Sequence, residues 1–211
     1  GYFSNQTTDM TIADDPTPYR DMIQRWHLEK KNPSQSRSEV KEPITWWIEN
    51  TTPHEFRDAI KEGVLAWNKA FEKAGLINAV DVQVQPDDAD WDAGDIRYNV
   101  LRWTSSPNPP FGGYGPSFVN PRTGQILGAD IMLEVDYFTN RVKYEKRFDT
   151  FSAADNGPVS DHVCQAGEIT QRGNLFASMA ASSTGDYSEL EQHRIIYESL
   201  VRLTLHEVGH T

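Results

Sequence analysis

Residues 43–85 read PITWWIENTTPHEFRDAIKEGVLAWNKAFEKAGLINAVDVQVQ, and the fold class turns on this stretch. Its opening, ITWWIEN at 44–50, is rich in β-branched and aromatic residues and closes on Asn50, the pattern of a strand. Thr52, Pro53 and Glu55 then have the form of a capping box, with Thr52 at N-cap, Pro53 first in the helix and Glu55 at N3. Phe56, Ala59, Ile60, Gly63, Val64, Trp67, Phe71 and Ala74 recur on one helical face, and Gly75 supplies a stop. A helix over 53–74 is therefore predicted. In AVDVQVQ at 79–85 the alternation puts Val80, Val82 and Val84 on one side of a second strand.

Working outward, DIRYNVLRW at 95–103 predicts a further strand, followed by the Gly/Pro-rich loop SSPNPPFGGYGP at 105–116. SFVN, the turn PRTG and QILGADIMLEV follow. In that last strand Leu127, Ala129, Ile131, Leu133 and Val135 share one face, and Ile126, Gly128, Asp130 and Met132 the other. Residues 137–187 are mixed in pattern, with room for one short helix near 167–181. The chain closes in a helix from near Ser188 with apolar Leu190, Ile196, Leu200, Leu203 and Val208. Residues 1–42 are polar and irregular, a lead-in segment or the end of a preceding domain, and 43–211 form the main body. The order predicts an α+β fold: a mixed sheet of about five strands, a backing helix and a C-terminal helix. Trp46 and Trp47 point to opposite faces of their strand, one into the core and the other under the lead-in segment.

Composition narrows the function classes. Among 211 residues the net charge is −11, and no Lys/Arg cluster is present to follow a phosphate backbone, which excludes a nucleic-acid partner. No apolar run in this segment approaches the roughly 18 residues of a membrane span. Cys164 is the only cysteine, so neither an internal disulfide nor a thiolate metal cage can form. Asp88, Asp90 and Asp92 alternate as in a calcium loop, but Gly94 is one place late and Asn99 stands where a glutamate is needed. A solvated acidic loop is the expectation there.

The chemistry lies in LHEVGHT at 205–211. On a helix His206 and His210 sit one turn apart on one face, where their ring nitrogens can converge on an ion about 2 Å from each. Glu207 projects about 100° round the helix, able to reach a water on that ion rather than the ion itself. This is the H-E-x-x-H arrangement of zinc hydrolases. A catalytic zinc takes three protein ligands and a water. His193 is on the same helix but 13 residues before His206, roughly 20 Å away. His54 lies at a helix start, and His27 and His162 fall in irregular segments. The third ligand is expected after Thr211.

HEVGHT resembles the start of the metzincin signature. GYF, RWHLEK, the 43–80 stretch, DADWDAGDIRYNVLRW and FGGYGPSFVNPRTGQILGADIMLE are similar to the bacterial zinc-dependent Met-zincin domain family, over most of the chain outside 137–187. The resemblance implies a metzincin-like upper subdomain, with His206 and His210 as the first two Zn2+ ligands and Glu207 as general base. It implies a peptide or protein substrate, bound along an antiparallel edge strand at 125–134 by main-chain hydrogen bonds, with FGGYGPSFVN at the cleft rim. The signature's later glycine, third histidine and methionine turn are not in this sequence. The expectation is thus a fragment, not competent alone, that needs the remainder of its own polypeptide. An extracytoplasmic location (periplasmic, cell-surface or secreted) is implied as well. The competing reading is a non-catalytic peptide-binding module using the same strand 125–134. A structural zinc site would want four closed ligands with cysteine, which Cys164 alone does not meet.

Overall fold

A computed structural model of the chain describes residues 4–8, 10, 11, 16, 19–106, 113–134 and 189–211; the helix expected near 167–181 lies outside them. The elements in chain order are β1 (Ser4–Thr8), β2 (Tyr19–Ile23), β3 (Ser38–Glu39), β4 (Ile44–Ile48), α1 (His54–Leu65) and α2 (Asn68–Lys73). They continue with β5 (Leu76–Ile77), β6 (Val80–Val84), β7 (Asn99–Thr104), β8 (Gly113–Tyr114), β9 (Ser117–Val119), β10 (Ile126–Glu134) and α3 (Glu189–Val208).

The fold is α+β around one mixed sheet in the order β6-β4-β7-β10-β8. β6, β4, β7 and β10 run parallel. β8 and β9 pair antiparallel with successive parts of β10, so they occupy one position at the sheet's edge. Parallel neighbours need a crossover, and α1 with α2 provides it between β4 and β6. Trp46, Ile48, Val80, Val82, Leu101, Ala129, Ile131 and Leu133 line the covered face of the sheet. Against them pack Ala59, Ile60 and Val64 from α1 and Leu200, Leu203 and Val208 from α3. Each fully buried aliphatic side chain of this kind contributes roughly 1.5–3 kcal/mol.

Several expectations need correction. The strand at 125–134 is not an edge: β10 is paired on both sides, and the antiparallel edge is β8–β9. Residues 113, 114 and 117–119 lie antiparallel along the outside of β10, which the linear order of motifs does not reveal. Within β10 the alternation holds from Ala129 onward. The register with β9 shifts between Ile126 and Gly128, leaving Ile126 4% exposed and Leu127 53% exposed, the reverse of the predicted faces.

The capping box does not form either. The helix starts one residue later than expected, with Pro53 at N-cap and no side-chain cap. Thr52 Oγ1 is buried with no hydrogen-bond partner. Arg57 reaches back instead, donating through Nε to Thr52 O at 2.9 Å and through a terminal nitrogen to Asn50 O at 2.9 Å.

The helix expected over 53–74 is divided at Ala66–Trp67. There the backbone tightens, with Trp67 N–H donating to Val64 O at 3.2 Å and Lys69 N–H to Ala66 O at 3.2 Å. Two side chains use the break. Asn68 exchanges hydrogen bonds with the Val80 backbone, at 2.8 and 3.0 Å, tying α2 to β6. Trp67 turns to α3. Gly75, at φ +85°, ends α2 in the left-handed region that glycine tolerates.

Trp46 is the core tryptophan, and the lead-in Trp26 meets it edge-on at 6.4 Å. Trp47, on the opposite face, is covered not by the lead-in but by Trp91 and Tyr98, at 5.5 and 5.9 Å. The acidic loop thus serves as an aromatic cover, with its aspartates outward. Lead-in Trp26 and Leu28 pack on the core, and Arg25 exchanges backbone hydrogen bonds with Gly124 and Ile126, at 3.0 and 2.8 Å. Among the described residues no helix is long and apolar enough to cross a membrane.

Candidate metal centre

α3 crosses α1 at Gly63. A Cβ there would lie 2.7 Å from Val201 O and 2.8 Å from Thr204 Cβ, so only glycine permits this approach. Tyr197 Oη–H donates to Glu62 Oε2 at 2.8 Å one turn earlier. This packing aims the last turns of α3 along the end of the sheet beside β8.

There Glu207 is 2% exposed, against the antiparallel edge. A Cβ on Gly113 would lie 2.6 Å from Glu207 Cδ and 2.7 Å from its Oε1, and one on Gly115 would lie 3.3 Å from Glu207 O. The β8 backbone therefore lies directly on this carboxyl group. Burial pushes the Glu207 pKa up to about 7.

His206 lies in the final turn of α3 and His210 two residues past its end. Their Nε2 atoms are 3.0 Å apart, with rings nearly perpendicular at 86°. Two nitrogens bound tetrahedrally to one zinc stand roughly 3.3 Å apart. The pair thus fits two positions of such a donor set. Burial, then the neighbouring His206, lowers the His210 pKa, which favours the neutral imidazole a metal requires. An open hollow of about 400 Å³ beside the rings is lined by Trp67, Arg202, Leu205, His206, Gly209 and His210.

Sequence reasoning placed His206, Glu207 and His210 at one helix end; the structure brings the two imidazoles together and sets the Glu207 carboxyl against β8. Among the described residues it brings no other candidate histidine into a group with them. His27 is exposed and paired with Glu29 at 3.2 Å, His54 and His193 are exposed, and His162 lies outside the described residues. Among the described residues no group of three or more His, Cys, Asp or Glu side chains is placed to hold an ion. Gly63 and Trp67 were missed as parts of the site, and Gly113 was expected only within the cleft-rim stretch, not against Glu207. Gly113 reads as turn chemistry, and Gly63 and Trp67 read as members of an apolar helix face.

Comparison of the chain with protein-family models, with curated proteins and with solved structures finds no match in any of the three.

Proposed function

We propose that the chain carries the upper half of a zinc peptidase cleft, built like the upper subdomain of a metzincin. One observation carries the reading. Two imidazole Nε2 atoms 3.0 Å apart share a helix end with a buried glutamate pressed against an antiparallel edge strand. His206 and His210 would hold the ion, and a third protein ligand is to come from outside the described residues. Bound zinc supplies a Lewis acid that polarises a carbonyl and lowers the pKa of water towards about 7.

The remaining work belongs to the chain's own groups. Glu207 accepts a proton from the attacking water and later delivers it to the departing amine nitrogen. Its burial suits both halves of that task, because an acid with a pKa near neutrality is neither too weak a base nor too weak an acid. Among the described residues the outer side of β8–β9 is unpaired, and an extended peptide can add there as a further strand. Gly113 of β8 and Gly115 just after it keep the Glu207 side of that path free of side-chain bulk.

The reading is tested on a chain extended past Thr211. Glu207→Ala is expected to abolish peptide cleavage and leave zinc bound one to one; cleavage that survives the substitution removes Glu207 from this role. The 211-residue chain is expected to bind zinc weakly or below stoichiometry. Equally tight zinc in both chains would place the third ligand within the 211 residues.

A further inference from the structure

The turn carrying His210 is not an ordinary continuation of α3. The helix ends at Val208, and the next bonds are of the tighter type: Gly209 N–H to His206 O at 3.0 Å and His210 N–H to Glu207 O at 3.0 Å. The α-helical bond from Gly209 N–H to Leu205 O is stretched to 3.3 Å. The Leu205 carbonyl, immediately before His206, thus loses much of its partner within the helix. Trp67 supplies another. Its Nε1–H donates to Leu205 O at 2.9 Å, across 138 positions of sequence. The far edge of the same ring covers Gly209, where a Cβ would lie 2.6 Å from Trp67 Cζ2.

Resting on the zinc-site reading, we infer that Trp67 is a positioning residue for the metal-binding pair. It grips the chain just before His206 and just before His210, and so sets the separation of the two Nε2 atoms. A helix end this short otherwise frays, and two imidazoles on a fraying turn present no fixed bite. The break between α1 and α2 is what turns Trp67 toward α3, so the irregularity in one helix orders the end of another. The indole also forms one wall of the hollow at the two rings. Outer-shell partners of this kind set ligand orientation, and losing one costs roughly tenfold or more in metal affinity.

The test compares the chain extended past Thr211 with its Trp67→Phe and His206→Ala variants, by cobalt(II) titration followed in the visible spectrum and by amide hydrogen exchange without metal. Trp67→Phe keeps an aromatic ring and removes the N–H. Its expected result is a roughly tenfold weaker cobalt affinity, with faster exchange confined to Gly209 and His210 and the amides of α1 unchanged. Unchanged affinity in Trp67→Phe, when His206→Ala has lost the cobalt signal, overturns the positioning role and leaves the metal site standing. Faster exchange throughout the molecule, with affinity falling in step with global stability, overturns it too, as a general packing effect. Failure of the unsubstituted chain to bind cobalt overturns the metal reading itself, and the inference with it.

Discussion

At the start of α1, Thr52, Pro53 and Glu55 carry every local signal of a capped helix, yet Thr52 Oγ1 is buried without a partner and Arg57 does the tying. At the end of α3 the only local signal is Gly209, yet that terminus is held by an indole from 138 residues away. The difference shows what a terminus needs. A cap motif offers a partner for an orphan backbone group, but any donor or acceptor that the fold brings near can take its place. The α1 start is tied to its own preceding loop. The α3 end, which carries the candidate chemistry, is tied to another helix, and its geometry therefore depends on the whole core being assembled.

The sharpest way to break this contrast is Trp67→Ala. It removes a packed aromatic ring and leaves Leu205 O short of a partner at once, and about 4 kcal/mol of stability is expected to go. Denaturant unfolding measures it. A loss under about 1 kcal/mol would mean that the α3 end is held by its own turn after all.

The α3 end should also respond to pH where the α1 start does not. Glu207 has a folded pKa of about 7 against an ordinary value of 4.5, so between these pH values the native state binds the extra proton. Its contribution is fully present below about pH 4.5 and is lost as pH rises through about 7, a change of about 3 kcal/mol. In metal-free protein Glu207→Gln is expected to match the parent at pH 4 and to exceed it by that amount at pH 8, read as a difference in unfolding midpoints. A variant whose advantage does not vary with pH would show that burial does not set this group's ionisation.

Much of the architecture was legible because it is periodic. Val80 and Val82 of β6, the alternation of β10 after Ala129 and the apolar stripe of α1 report burial directly, whereas Val84, expected on the same side as the other two valines, is 39% exposed. The histidine pair and Glu207 were legible for a similar reason, since their spacing along one helix fixes their relative directions. What stayed hidden depends on contacts between distant segments. The identity of the edge strand is set by where β8 and β9 lie against β10, and both are too short to show a period. The importance of Gly113 exists only because Glu207 arrives against it, and that of Trp67 only because α3 crosses α1 at Gly63. Glycine and tryptophan have many uses, and a single sequence does not say which one applies.

Two substitutions at the α1 start complete the comparison. Arg57→Met keeps the side chain's bulk and deletes two charge-assisted hydrogen bonds to Asn50 O and Thr52 O, for an expected loss of about 2 kcal/mol. Thr52→Val is the smallest change and the most direct question. If Thr52 were a working N-cap, replacing its hydroxyl by a methyl would cost about 1 kcal/mol. Its Oγ1 instead has no partner and is already out of water, so the methyl removes an unsatisfied polar group from a closed site. The expected result is neutral, or a gain of up to about 1 kcal/mol, in the same unfolding measurement. A clear loss would restore the capping box in solution and return the α1 start to local control. A gain would show that its sequence signature is a cap that the assembled fold has no use for.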